Sequence, residues 1–198
     1  MAEPGITPLV LAWEPEEVAL LRQAQALGLP LAESWVVALE EEFFRLNNLP
    51  ERIAQLFQGV FGVRIDEERL LWAAEEAERQ VRESYLLPER AEAFLAALKG
   101  GGPFLLRRAG SGAFRLADSP QEALFVLKRL WAEAFRVEAI LARHPALLPE
   151  PLPVLVQRAG GAVEDPFLSL DLSQALGREV VVYTWEGRVV RIESSHGG

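Results

Sequence analysis

Gly100-Gly-Gly-Pro103 is the sharpest break in the chain, and it limits what the chain can fold into. Two kinds of segment cannot run through it: a helix loses backbone order at consecutive glycines, and Pro103 removes a donor. Before it the apolar residues recur mostly at helical spacing; after it short strand-like runs appear. The expected division is a mainly helical lobe over 1–99 and a strand-rich lobe over 100–198, together forming one compact unit. The fold class expected is α+β, with a mixed, mainly antiparallel sheet and one long helix.

The stretch Pro103–Arg158 carries most of the architecture after the break. Pro103-Phe-Leu-Leu-Arg-Arg-Ala-Gly110 reads as a strand, and Ala113–Ala117 as a second. Ser119-Pro-Gln-Glu122 has the form of a capping box with Pro at the first helical position, so a helix is expected over 119–143, ended by Pro145. Leu124, Leu127, Trp131, Ala134 or Phe135, and Ile140 or Leu141 would be its buried stripe. Leu152–Arg158 reads as another strand.

Ahead of the break, Pro8–Ala12 suggests a short strand or extended arm. Glu14-Pro15-Glu16-Glu17 opens a helix, with acids near its positive end and Gly28 just past its C-terminus. Trp35–Ala38 reads as a strand and Glu40–Leu46 as a helix. Three more helices are expected between Pro50 and Leu98, with Asp66 capping one whose inner face is Leu70, Leu71, Ala74, Ala77 and Val81. Toward the C-terminus, Phe167–Asp171 reads as a strand. Glu179–Thr184 and Arg188–Glu193 read as a hairpin turning at Trp185-Glu-Gly187, followed by a frayed tail.

Composition closes off several functions. The formal charge of −9 opposes general nucleic-acid binding, which needs a basic face. No run approaches the ~20 apolar residues needed to span a bilayer, and no secretory leader is read at the N-terminus, so a cytoplasmic protein without membrane association is expected. The chain has no cysteine, which removes disulfides, thiolate metal sites and a cysteine nucleophile. The arginine excess over Lys99 and Lys128 fits a heat-adapted protein or a codon bias. His144 stands beside Pro145 and His196 lies in the tail, each without an orienting acid at triad spacing. The adjacent Glu164 and Asp165 would point to opposite faces of a strand, and Asp171, Glu179 and Glu193 fall near strand ends, so no metal or paired-carboxylate site is defined. Gly110-Ser-Gly112 suits a hairpin turn and, less strongly, a phosphate cradle. Trp185, at a hairpin tip, is the tryptophan most open to a binding role, while Trp13, Trp35 and Trp131 read as core or interface.

The order of these pieces resembles the N-terminal ATP-binding (ATP-grasp) domain of phosphoenolpyruvate synthase and pyruvate, phosphate dikinase. Ala24–Val37, Phe104–Gly110, Leu130–Arg143 and Val154–Arg158 each resemble, in order, a segment of that domain. The resemblance places Arg107 on the family's phosphate-contacting arginine and Gln157 on the strand leading to the adenine hinge. Arg108 and Arg158 flank them, so Arg107, Arg108, Gln157 and Arg158 are the candidate nucleotide-binding residues, for ATP or another adenine nucleotide. The departures point away from catalysis. Leu9–Val18 lacks the lysine and glycines of the family's phosphate loop, Arg108 and Ala109 stand where it has serines, and the portion carrying its magnesium ligands has no counterpart. The resemblance therefore implies a truncated, degenerate, non-catalytic or weakly nucleotide-binding module with a regulatory or binding role. The alternatives are a protein-interaction module or homodimer without nucleotide, and a phosphotransferase subunit completed by another chain.

Overall fold

The computed structural model describes residues 5–9 and 14–195. Among them the elements run β1 (Ile6–Pro8), α1 (Glu16–Ala26), β2 (Ser34–Val37), α2 (Glu40–Leu46), α3 (Leu49–Leu56), α4 (Glu67–Glu83), α5 (Pro88–Ala97), β3 (Phe104–Arg108), β4 (Arg115–Ala117), α6 (Pro120–Glu133), α7 (Val137–Arg143), β5 (Val154–Gln157), β6 (Val163–Glu164), α8 (Pro166–Leu176), β7 (Val180–Trp185) and β8 (Arg188–Ser194). The fold is α+β, built on two mainly antiparallel sheets. The expected strand at Pro8–Ala12 begins earlier, as β1, and its positions 10–12, like Trp13 and His196, lie outside the described residues.

The larger sheet has the order β1-β2-β5-β3-β4, with only β1 and β2 parallel. It takes strands from both sides of the Gly100–Gly102 break. The last of these strands in the chain, β5, is inserted between β2 and β3. Side chains alternate across a strand. Trp35, Val37, Phe104, Leu106, Val154 and Val156 therefore share one face, where they pack with the helical layer formed by α2–α7. The opposite face carries Ser34, Val36, Leu105, Arg107, Leu155 and Gln157. Val36 and Leu155 pack there with α1, α8, β7 and β8, and Leu105 with Val190.

The smaller sheet, β6-β7-β8, lies against that second face. Its β8 edge is not left open: Val189 N donates to Pro30 O at 2.9 Å and Ala32 N donates to Val189 O at 2.9 Å. The β7–β8 turn uses Glu186 and Gly187, both with positive φ (49° and 78°). That matches the right-handed strand twist, as in a type I′ hairpin.

Three expectations change. Phe167–Asp171 is helical, inside α8, not a strand. The Asp165 side chain accepts from Leu168 N at 3.0 Å, Pro166 opens the first turn, and Gly177 ends the helix with φ 69°. These local start and stop signals override the apparent alternation. Asp165→Ala is expected to lower stability by about 1 kcal/mol, as for loss of an N-cap, measured by urea unfolding.

The helix expected over 119–143 is interrupted after Glu133. The Ser119 cap forms, with Oγ accepting from Glu122 N at 3.1 Å. But Arg136 turns extended (ψ 148°), and Phe135 enters the core, fully buried, beside Phe44. The interruption frees the Ala134 carbonyl, which accepts from Arg143 Nη1 at 2.6 Å. Finally, Leu71 is exposed on α4, and Ala73 takes the buried place expected of it.

Candidate functional site

Strand alternation sends the two adjacent arginines of β3 to different layers. Arg107 points to the second layer and is 1% exposed. Arg108 points to the helical layer, where its Nη1 and Nη2 donate to Glu40 Oε2 and Oε1 at 2.9 and 3.1 Å.

Arg107 is met from three directions. Glu17, in the first turn of α1, accepts from Arg107 Nη1 through Oε2 at 2.8 Å, and its Oε1 lies 2.6 Å from Nη2 as an ion pair. Gln157, on the neighbouring strand β5, accepts from Arg107 Nε at 3.2 Å. The Val190 carbonyl of β8 accepts from Nη2 at 3.1 Å. Gln157 Nε2 then donates to Val190 O at 2.7 Å and to Ser34 Oγ at 3.0 Å, and Ser34 Oγ donates to Ala32 O at 2.8 Å. Five segments are tied together by one buried polar network whose charges cancel. Such a network stabilises when its members are satisfied; here Glu17 Oε1 has no hydrogen bond and is met by the 2.6 Å ion-pair contact with Arg107 Nη2.

The candidate phosphate cradle is closed in the same way. Gly110 N donates to Glu17 Oε2 at 2.6 Å. The carboxylate of Glu17 thus takes the two interactions, a guanidinium and a backbone N–H, that an anionic ligand would use there. A cavity of about 290 Å³ lies beside it, lined by Pro15, Glu16, Glu17, Gly110, Arg191 and Glu193 among others. Neither lysine lines it. Lys128 donates to Ser84 O at 2.8 Å within the helical layer, and burial pushes its ammonium below the ordinary value.

Arg158 serves the chain break. Its Nε lies 3.1 Å from Glu33 Oε2, Nη1 donates to Gly101 O, and Nη2 donates to Lys99 O at 3.2 Å. The guanidinium stacks over Phe104 and Trp35 at 5.1 and 5.5 Å. The four sequence-derived candidates are therefore divided. Arg107 and Gln157 meet, whereas Arg108 and Arg158 face the other layer with carboxylate partners of their own. The partners that define the network, Glu17 and Ser34, were not among the candidates. Glu17 stands out in sequence only as a helix-dipole acid, since its contact with Arg107 spans 90 positions.

Trp185, read as open to a ligand, packs over the turn at Gly160 and Gly161. A Cβ at Gly160 would lie 2.9 Å from the Trp185 ring and 3.2 Å from Pro103. Gly160→Ala is expected to displace the indole and cost about 1–3 kcal/mol, as overpacking does, with a shift in tryptophan emission on the same unfolding curve. His144 is exposed and stacks near Phe61 at 4.4 Å between ring centres. Among the described residues no cluster of three or more His, Asp or Glu could hold a metal ion, and no helix is long and apolar enough to cross a membrane. A comparison with protein-family models finds no match, and a comparison with curated proteins finds none either.

Proposed function

We propose that the chain is a non-catalytic binding module, related to the ATP-binding domain of phosphoenolpyruvate synthase and pyruvate, phosphate dikinase, in which the phosphate-facing arginine has become a structural residue. One observation carries this reading: Glu17 already occupies both Arg107 and the Gly110 N–H. A nucleotide phosphate would have to displace a buried carboxylate that is ion-paired with Arg107. Phosphoryl transfer further needs positioned cations around the phosphate; no lysine lines the neighbouring cavity, and the arginine that does, Arg191, is paired with Glu193 at 3.1 Å. The same closure favours a protein partner or a second copy over a retained nucleotide. A phosphotransferase subunit completed by another chain would require that chain to free Arg107 first.

The test combines two assays of the full chain. Incubation with ATP and magnesium is expected to give neither phosphate release nor a phosphorylated product. Magnesium-dependent turnover that disappears in Arg107→Lys would overturn the reading. Light scattering over a concentration range separates a homodimer from a monomer that depends on a different chain.

A further inference from the structure

A second cavity, of about 370 Å³, lies on the other face of the larger sheet, bounded by the β3–β4 turn, α6, α7 and the Pro149–Leu152 segment. The geometry points to a binding site there for a small organic oxyanion, a carboxylate or phosphate ester on an apolar body, held between Arg108 and Arg143. This goes beyond the preceding reading, because the site's charged residues are not those of the closed Arg107 network; only Ser111, whose carbonyl accepts from Arg107 Nη1 at 3.5 Å, borders both.

The charges set the head group. Arg108 spends two donors on Glu40, and its Nη2 also donates to Leu130 O at 3.4 Å. Its Nε–H and one Nη1 hydrogen remain. Arg143 is anchored without a carboxylate. Its Nη1 donates to Ala134 O and Ala139 O at 2.6 and 3.3 Å, and its Nη2 to Leu147 O at 2.6 Å. All three are backbone carbonyls. Among the described residues no carboxylate pairs with it, and its buried Nε has no hydrogen-bond partner. One Nη2 hydrogen also remains. Carbonyls orient a guanidinium but do not neutralise it.

The acids in the wall do not supply the missing charge. Glu133 is shared by Arg115 at 3.0 Å and Arg136 at 3.3 Å. Glu150 is exposed on the rim. The cavity lining thus carries two arginines and two glutamates, and of the two arginines only Arg143 has no carboxylate partner. Burial, and then the Arg108 charge, push the Arg143 guanidinium below its ordinary value against the opposing pull of Glu40. An anion in the cavity would reverse that push. Leu130, Ala134, Ala139 and Leu152 make the rest of the wall apolar, which selects a ligand with a hydrocarbon body over a bare ion.

The experiment is a titration of the full-length ¹⁵N-labelled chain with sodium hexanoate and, separately, phenyl phosphate, at matched ionic strength against sodium chloride. The amides of Ser111, Ala113 and Ala139 are expected to shift saturably in the millimolar range. A response to either probe supports the site and identifies its head group; a response to neither overturns it. Arg143→Gln is expected to abolish the saturable shifts, and their persistence unchanged would also overturn the assignment. If that variant fails to fold, Glu150→Gln decides. Removing this rim charge should tighten binding about twofold or more, whereas unchanged or weaker binding contradicts a site governed by the two arginines.

Discussion

Glu17→Ala is expected to destabilise the chain by about 3–5 kcal/mol, the cost of leaving one member of a buried ion pair uncompensated. The loss has two parts. Arg107, at 1% exposure, keeps a full charge with only Gln157 and carbonyl oxygens around it, and Gly110 N–H loses its acceptor. The measurement is urea unfolding of Glu17→Ala, Arg107→Met and the double variant. Each single change strands a buried partner, whereas the double change removes both charges. The double variant should therefore cost less than the sum of the singles, by about 1–3 kcal/mol of coupling. Additive costs would mean that the two side chains do not act as a pair.

Trp131→Ala should be comparably severe, about 3–5 kcal/mol, but for a different reason. Trp131 is fully buried on α6, with its ring centre 4.8 Å from that of Phe43. Its loss removes apolar contact from the helical layer and leaves a cavity that fixed helices cannot close. The indole Nε1 has no hydrogen-bond partner among the described residues. Trp131→Phe thus strands no polar group and should cost under about 1.5 kcal/mol, close to a tolerated apolar exchange. A large loss for phenylalanine would show that the full indole volume is needed and would contradict a tolerated exchange.

Local chemistry made much of the fold legible. Asp66 and Ser119 cap the helices they were expected to open, and Glu186-Gly187 turns the expected hairpin. Short apolar runs at Phe104–Arg108 and Val154–Gln157 marked two strands that prove to be neighbours. The failures have different causes. In Phe167–Asp171 the alternation was too short to outweigh the Asp165-Pro166 start signal. The interruption after Glu133 involves neither glycine nor proline; it goes with Phe135 entering the core and Arg143 Nη1 donating to the freed Ala134 carbonyl. Only the second depends on packing between distant segments, through Phe135 against Phe44.

The candidate site was legible to the same limited depth. Arg107 and Gln157 could be named from strand motifs, and adjacent strands bring them together. That Arg107 is spent could not be read, because its counter-charge comes from α1 and a further acceptor from β8, 83 positions on. Nor does the pattern of residues show that Arg108 and Arg143 border one cavity, since α7 reaches it only through the break in the long helix.

On the proposed reading Arg107 belongs to the interior and not to a ligand. The most direct measurement is the Arg107 Nε–H resonance of the ¹⁵N-labelled chain, followed in exchange with solvent and during titration with ATP and magnesium. The prediction is slow exchange and no shift through millimolar ATP, because Gln157 and Glu17 hold the guanidinium throughout. A saturable shift of that resonance with ATP, accompanied by faster exchange, would contradict it.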